Sequence, residues 1–148
     1  MEARDFIKSL LKEEGVILPK ELVVKLYSEI LKFAGGLSGL IQATSTIAGK
    51  SIANIFKEKL HNYNLIEIAE LFFDETGLGK IKIEKLENGY KITILDTFLL
   101  KAHNKPELCL KPLQGATEGF FEVLENVDYS SRLEGTSIIL EKKGKPKC

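Results

Sequence analysis

Two cysteines, Cys109 and Cys148, are all that this sequence contains, too few for a disulfide framework. Guanidinium is as scarce, confined to Arg4 and Arg132, and the formal charge is zero. No domain-wide positive field therefore argues for nucleic acid. No run of about 18 apolar residues occurs, so nothing reads as a membrane span. The start, MEARDF, lacks the basic-then-apolar profile of a signal peptide, and the cytoplasm is the expected location. A P-loop, a dinucleotide fingerprint after a strand and a nucleophile motif are all missing. No catalytic residue is assigned, and the chain reads as non-enzymatic, without cofactor or metal.

What is present is an ordinary globular balance. Over 148 residues, 44% are hydrophobic and 28% charged, which suits one folded domain and not a disordered chain. The domain is expected over residues 1–142, with 143–148 a frayed tail.

Residues Ala3 to Glu14 read as a short helix ended by Gly15. Its apolar face, Phe6, Ile7, Leu10 and Leu11, is one that a small domain would leave open to a partner. Pro19 opens a second helix with Leu22, Val23, Leu26, Ile30 and Phe33 on its greasy face, stopped by Gly35-Gly36. The next helical stretch carries two stripes. Leu37, Leu40, Ile41, Ile47, Ile52, Phe56 and Leu60 form one; the small residues Gly39, Ala43, Thr46, Gly49 and Ala53 form the other, along which another backbone could approach. Asn64 with Glu67 makes an N-cap box, and Gly77 supplies a left-handed stop. Phe72 and Phe73, being adjacent, cannot both point the same way.

The period then changes to two. Ile81 and Ile83, then Tyr90, Ile92 and Ile94, read as paired strands around Asn88-Gly89, with charged partners showing one face to water. A loop over 101–112 leads to a helix from about Leu113 to Glu125, and a second hairpin turns near Glu134-Gly135. The expected fold is α+β: a four-stranded antiparallel sheet from two hairpins, backed by the N-terminal helices and by a helix between the hairpins.

That last helix contains Gly115 and Gly119, each costing roughly 1 kcal/mol against alanine. Close packing of helix on sheet is the plain explanation; the alternative is a flattened face that leaves a cavity wall. Cys109 reads as a buried small hydrophobe, with a pocket-facing thiol as the rival. His61 and His103 read as exposed or capping residues. Asp96 reads as a group that turns or caps the end of a strand, since no second carboxylate is placed to work with it.

Three stretches, GLSGLIQATSTIAGKSIANIF, FFDETGLGKIKIEKLENGYKITILDTF and CLKPLQGATEGFFEVLEN, resemble in order and spacing the 4-vinyl reductase domain family. That family is related to the Golgi-transport TRAPP subunits and more remotely to haem-based nitric-oxide sensors. The resemblance spans roughly Leu37 to Leu140, and its most specific parts are Gly77-Leu78-Gly79 and Cys109 followed by Gly115 and Gly119. It implies a small-molecule-binding module, a lipophilic or hydrocarbon-like ligand, and homodimers formed through the N-terminal helices. It also invites two other readings, an assembly subunit with a filled core and an accessory role in tetrapyrrole reduction. Sensor members bind zinc through a cysteine like Cys109 together with a Glu and two more cysteines in the last hairpin; here that hairpin, VDYSSRLEGTSIILEK, has no cysteine.

Periodicity and the family pattern together nominate a pocket lining of Ile47, Phe72, Ile94, Phe98, Cys109, Leu113, Phe120 and Tyr129, with Tyr129 as the one polar handle. Gly49, Gly77, Gly79, Gly115 and Gly119 are its structural glycines.

Overall fold

The computed structural model describes residues 2–34, 36–59 and 63–144. Four expectations therefore lie outside the described residues: the stop at Gly35, the end of the apolar stripe at Leu60, the place of His61, and the end of the tail with Cys148. The architecture is α+β. Helices α1 (Ala3–Glu14), α2 (Lys20–Ala34), α3 (Ser38–Lys59) and α4 (Leu65–Glu75) precede strands β1 (Gly79–Leu86) and β2 (Gly89–Thr97). A 3-10 turn (Phe98–Lys101), helix α5 (Pro106–Glu125) and strands β3 (Tyr129–Glu134) and β4 (Ser137–Lys142) complete it. The sheet is antiparallel throughout, in the order β1-β2-β4-β3, so the two hairpins meet along β2 and β4.

The sheet shows one face to the helices. Tyr90, Ile92 and Ile94 of β2 and Ile138 and Leu140 of β4 are buried there, while Lys80, Lys82 and Glu84 of β1 point the other way into water. The first hairpin turns on Glu87 and Asn88, one residue earlier than Asn88-Gly89. Gly89 instead begins β2 with φ 154°, where a Cβ would lie 1.8 Å from the Leu140 oxygen of β4. At the edge of the sheet the Ile83 N–H donates to Glu70 Oε1 of α4 at 2.9 Å.

Asn64 caps α4 as expected, its side chain accepting from the Glu67 N–H at 3.1 Å, and Gly77 follows the helix at φ 76°. Helix α5 differs from expectation. It starts at Pro106, seven residues before Leu113, and runs through Pro112, so Cys109 is a helical residue and not part of a loop. Pro106 sits in the first turn, where the missing N–H costs nothing. Pro112 deprives the Leu108 carbonyl of its helical donor, and the Tyr27 hydroxyl of α2 donates to that oxygen instead, at 2.5 Å. His103 accepts at Nδ1 from the Lys105 N–H (3.0 Å) and shapes the approach to the helix.

Gly115 and Gly119 pack helix against helix, which corrects the helix-to-sheet expectation. A Cβ on Gly115 would lie 2.2 Å from the Gln42 oxygen of α3, one on Gly119 2.1 Å from the Thr46 oxygen, and one on Gly49 2.1 Å from the Ala116 oxygen. The small strip of α3 and the glycine pair of α5 thus bring two helical backbones together, and the other side of α5 packs on the sheet.

The face of α1 is closed within the chain, which corrects the expectation that it stays open. Ile7 and Leu10 are buried, Phe6 packs on Phe56 and Tyr63, and α1 lies along α4. Arg4 pairs with Asp74 and Glu75, and Lys59 with Glu13, at the rim of that packing. The open apolar face belongs to α2 and the first half of α3. Tyr27 and Leu31 of α2 point inward, but Leu22, Leu26, Ile30 and Phe33 (87% exposed) point out, as do Leu37, Leu40 and Ile47. Among the described residues no helix is long and apolar enough to cross a membrane.

Candidate functional site

A cavity of about 90 Å³ lies between the α3–α5 pair, α4 and β1. Its position follows from the glycine contacts: helices this close leave room beside their seam, not within it. Gly49 and Ile52 come from α3, Ala69, Phe72 and Phe73 from α4, and Ile81 and Ile83 from β1, with Leu78 just before that strand. From α5 come Leu113, Ala116, Thr117, Phe120 and Phe121. Thr117 carries the one polar side chain of the wall, and its hydroxyl donates to the Leu113 carbonyl of its own helix at 2.7 Å. The wall therefore offers a ligand no spare hydroxyl, amide or charge.

Aromatic rings form part of this wall. Phe72 meets Phe56 edge-on at 5.2 Å and lies parallel to Phe120 at 6.4 Å. Phe56 and Phe120 meet edge-on at 5.5 Å, arrangements favoured by the ring quadrupole. At about 90 Å³ the cavity is smaller than the roughly 150 Å³ that admits benzene, so as it stands it takes a few carbon atoms.

Three of the eight nominated lining residues, Phe72, Leu113 and Phe120, stand in this wall. The other five are placed elsewhere. Ile47 is 67% exposed, because the small strip beside it is turned to α5 and rotates it outward. Ile94 is buried on the inner face of β2, away from the wall. Phe98 lies under α2, with the Lys20 ammonium 5.9 Å from its ring centre. Cys109 is fully buried, its thiol donating to the His103 carbonyl at 3.3 Å; burial pushes the thiol above its usual range, which keeps it protonated and unreactive. The Tyr129 hydroxyl donates to Glu125 Oε1 at 2.8 Å, and Tyr90 donates to the other oxygen of the same carboxylate at 3.1 Å. Tyr129 is thus a tie between sheet and helix, not a handle in the cavity.

Sequence reasoning missed Ile52, Phe73, Ile81, Ile83 and Phe121 as wall residues. Their signal was present, in the inward phase of β1 and the apolar stripe of α3, but the facing of α3 had to be known first. It missed a polar cluster as well. Ser131 of β3 donates to Glu118 Oε2 at 2.6 Å, Gln114 Nε2 donates to Ser131 at 3.1 Å, and Lys111 donates to Gln114 Oε1 at 3.1 Å. Gln42 Nε2 of α3 donates to Ser131 at 3.2 Å. The members satisfy one another and tie β3 to the helix pair.

Among the described residues no group of three or more His, Cys, Asp and Glu is placed to hold a metal ion. No family model matches the chain, and no curated protein is significantly similar to it.

Proposed function

We propose that this protein binds a lipophilic small molecule in the cavity between its helical layer and its sheet, without transforming it. The observation that carries the reading is the wall itself: a space lined by apolar side chains, with its single hydroxyl already bonded within its own helix. Such walls are the usual chemistry of small-ligand sites. A ligand hiding about 200 Å² would gain up to ~5 kcal/mol before ordering costs. That corresponds to a dissociation constant of about 0.2 mM at best, as befits a sensor that must release its ligand. The resemblance to 4-vinyl reductase domains points the same way. Native mass spectrometry of freshly purified protein, followed by organic extraction, tests the reading. A bound mass of lipophilic character is expected. A clean apo protein that also takes up no hydrocarbon from solution would end it.

The outward stripes of α2 and α3 favour a further part of the same reading, that two copies pair through them. Leu22, Leu26, Ile30 and Phe33 make a line of exposed apolar side chains on α2, the kind of surface that marks an interaction site. Along its flank run Glu21, Lys25, Glu29 and Lys32, of which Lys32 and Glu29 pair within the helix at 2.7 Å. Sedimentation equilibrium should give a dimer for the unmodified chain and a monomer for Leu26→Glu. A monomer before any substitution would sink the pairing and leave the cavity reading intact. Tetrapyrrole chemistry is the weaker alternative; visible absorbance in the purified protein would favour it.

A further inference from the structure

A second groove shares no residue with the cavity wall. It holds about 350 Å³ between the first turns of α2 and the 3-10 turn after β2, lined by Lys20, Glu21, Val24, Lys25, Phe98 and Lys101. The sequence builds both of its sides. Lys20 and Val24, then Glu21 and Lys25, stand four apart on α2, so each pair shares a side of that helix. Both pairs lie on the flank turned away from the exposed line of Leu22, Leu26, Ile30 and Phe33. Opposite them, Thr97 caps the 3-10 turn by accepting from the Leu99 N–H at 3.3 Å. Residues three apart in such a turn eclipse one another, which sets Phe98 and Lys101 on the same side.

The groove has a sign. Three lysines face one carboxylate, Glu21, in a chain whose acids and bases balance at 21 each. None of these four side chains makes an ion pair among the described residues. Ammonium groups gathered around one space repel one another, and an anion placed there relieves the repulsion. Helix α2 begins at Lys20, so the positive end of its dipole adds to the same potential. One part of the groove is apolar and flat. Phe98 is half-buried, packed against the core, and the Lys20 ammonium stands over its ring, 5.9 Å from the centre. That is cation-on-face geometry, so the ring turns its face, and not its edge, toward a lysine of the groove.

We infer that this groove is a second binding site, for a small phosphate monoester that carries a flat ring, the chemistry of a nucleoside monophosphate. The phosphate sits among the ammonium groups of Lys20, Lys25 and Lys101, and the ring lies on Phe98 with Val24 beside it. Charge selects the phosphate. A monoester carries roughly −1.5 to −2 at neutral pH, which answers three lysines less one glutamate. Lysine binds phosphate as a point charge on a flexible stem, so the three can close on it without movement of α2. The phenyl face selects the ring, because a flat π-system gains stacking in addition to burial. The volume is that of a small-molecule site, where roughly 300–1,000 Å³ is usual. The site draws nothing from the cavity reading, and either can fail without the other.

Calorimetry on the full chain at low salt, with adenosine monophosphate, ribose phosphate and adenosine, separates the parts. Adenosine monophosphate should bind best and weaken as sodium chloride is raised. Ribose phosphate, which lacks the ring, should bind about tenfold more weakly. Adenosine, which lacks the charge, should also bind more weakly and without dependence on salt. Lys25→Gln with Lys101→Gln should weaken both phosphates several-fold and leave adenosine as it was. Phe98→Leu keeps an apolar side chain on the core but removes the flat face, and should bring adenosine monophosphate to the level of ribose phosphate. Should Phe98→Leu fail to fold, nuclear magnetic resonance of the unmodified protein reads the same contact. The Phe98 ring protons should shift with adenosine monophosphate and not with ribose phosphate. Equal binding of those two ligands, with the Phe98 signals unmoved, overturns the proposed class. Binding untouched by the lysine changes, or no binding at millimolar ligand, overturns the site and leaves the cavity reading standing.

Discussion

The hydroxyl of Tyr27 donates to the main-chain oxygen of Leu108 at 2.5 Å, and Pro112, four residues further along α5, is the reason that oxygen needs a donor. A helical proline ordinarily costs about 3 kcal/mol or more. Here part of that cost is offset by a side chain 81 residues away in sequence, which also anchors the inner face of α2.

Tyr27→Phe should therefore destabilise the protein by about 1–3 kcal/mol, since it leaves a buried carbonyl without its partner. Pro112→Ala restores the N–H, so in that background the same change should cost clearly less. Urea unfolding of the four proteins in this cycle checks the coupling. Equal costs in both backgrounds would show that the hydroxyl does not serve the proline gap.

Alkaline pH should unfold the protein through its tyrosines. Burial pushes Tyr27 up to about 12, and burial together with Glu125 pushes Tyr90 up to about 12; Tyr129 moves in the same direction for the same reasons. These pKa values are raised in the folded state, so their contribution is complete below the unfolded value of 10. It is lost between pH 10 and 12, by up to about 1.4 kcal/mol per pH unit for each residue. Denaturant midpoints at pH 9.5, 10.5 and 11.5 should fall accordingly, with a shallower fall in Tyr27→Phe. A flat profile over that range contradicts the burial of these hydroxyls.

Two glycines of the helix layer should respond with opposite signs. Gly119→Ala puts a methyl 2.1 Å from the Thr46 oxygen, which forces α3 and α5 apart and should cost about 3 kcal/mol or more. Gly39→Ala meets nothing within 4 Å inside α3 and should gain about 0.5–1 kcal/mol from helix propensity. Thermal unfolding separates the two. A harmless Gly119→Ala would mean that the helices are not in backbone contact.

Glu70 guards an edge. Its Oε1 takes the outward N–H of Ile83, a group that would otherwise be open to pairing with another chain. Glu70→Ala should cost about 1–3 kcal/mol and raise light scattering on storage, whereas Glu70→Gln keeps an oxygen acceptor and should stay near the parent. Identical behaviour of the two variants would remove the edge argument.

Much of the fold was legible because its determinants are local. The Asn64 cap, the left-handed Gly77 and the two-residue period of both hairpins each depend on neighbours within a few positions, and each led to the observed element. The start of α5 was not legible, because two prolines read as a loop and the group that lets Pro112 sit in a helix lies on α2. The turn of the first hairpin was displaced by one residue, since Gly89 answers to the nearby Leu140 oxygen of β4 and not to the turn alone. Phe72, Leu113 and Phe120 could be nominated from aromatic and apolar spacing. Ile47 could not be told from Ile52, because the choice rests on which stripe of α3 meets α5, and three backbone contacts between distant segments decide it.

The seam between β2 and β4 sets Tyr90 against Leu140 and Thr93 against Ser137, with the whole of α5 intervening along the chain. Each hairpin closes over a short loop, but joining them means first bringing α5 back across the growing sheet. Closure of so long an intervening loop is entropically slow. The pace of folding is accordingly expected to be governed by this one late union, during which the flanks of β2 and β4 are the moment of greatest vulnerability to mispairing.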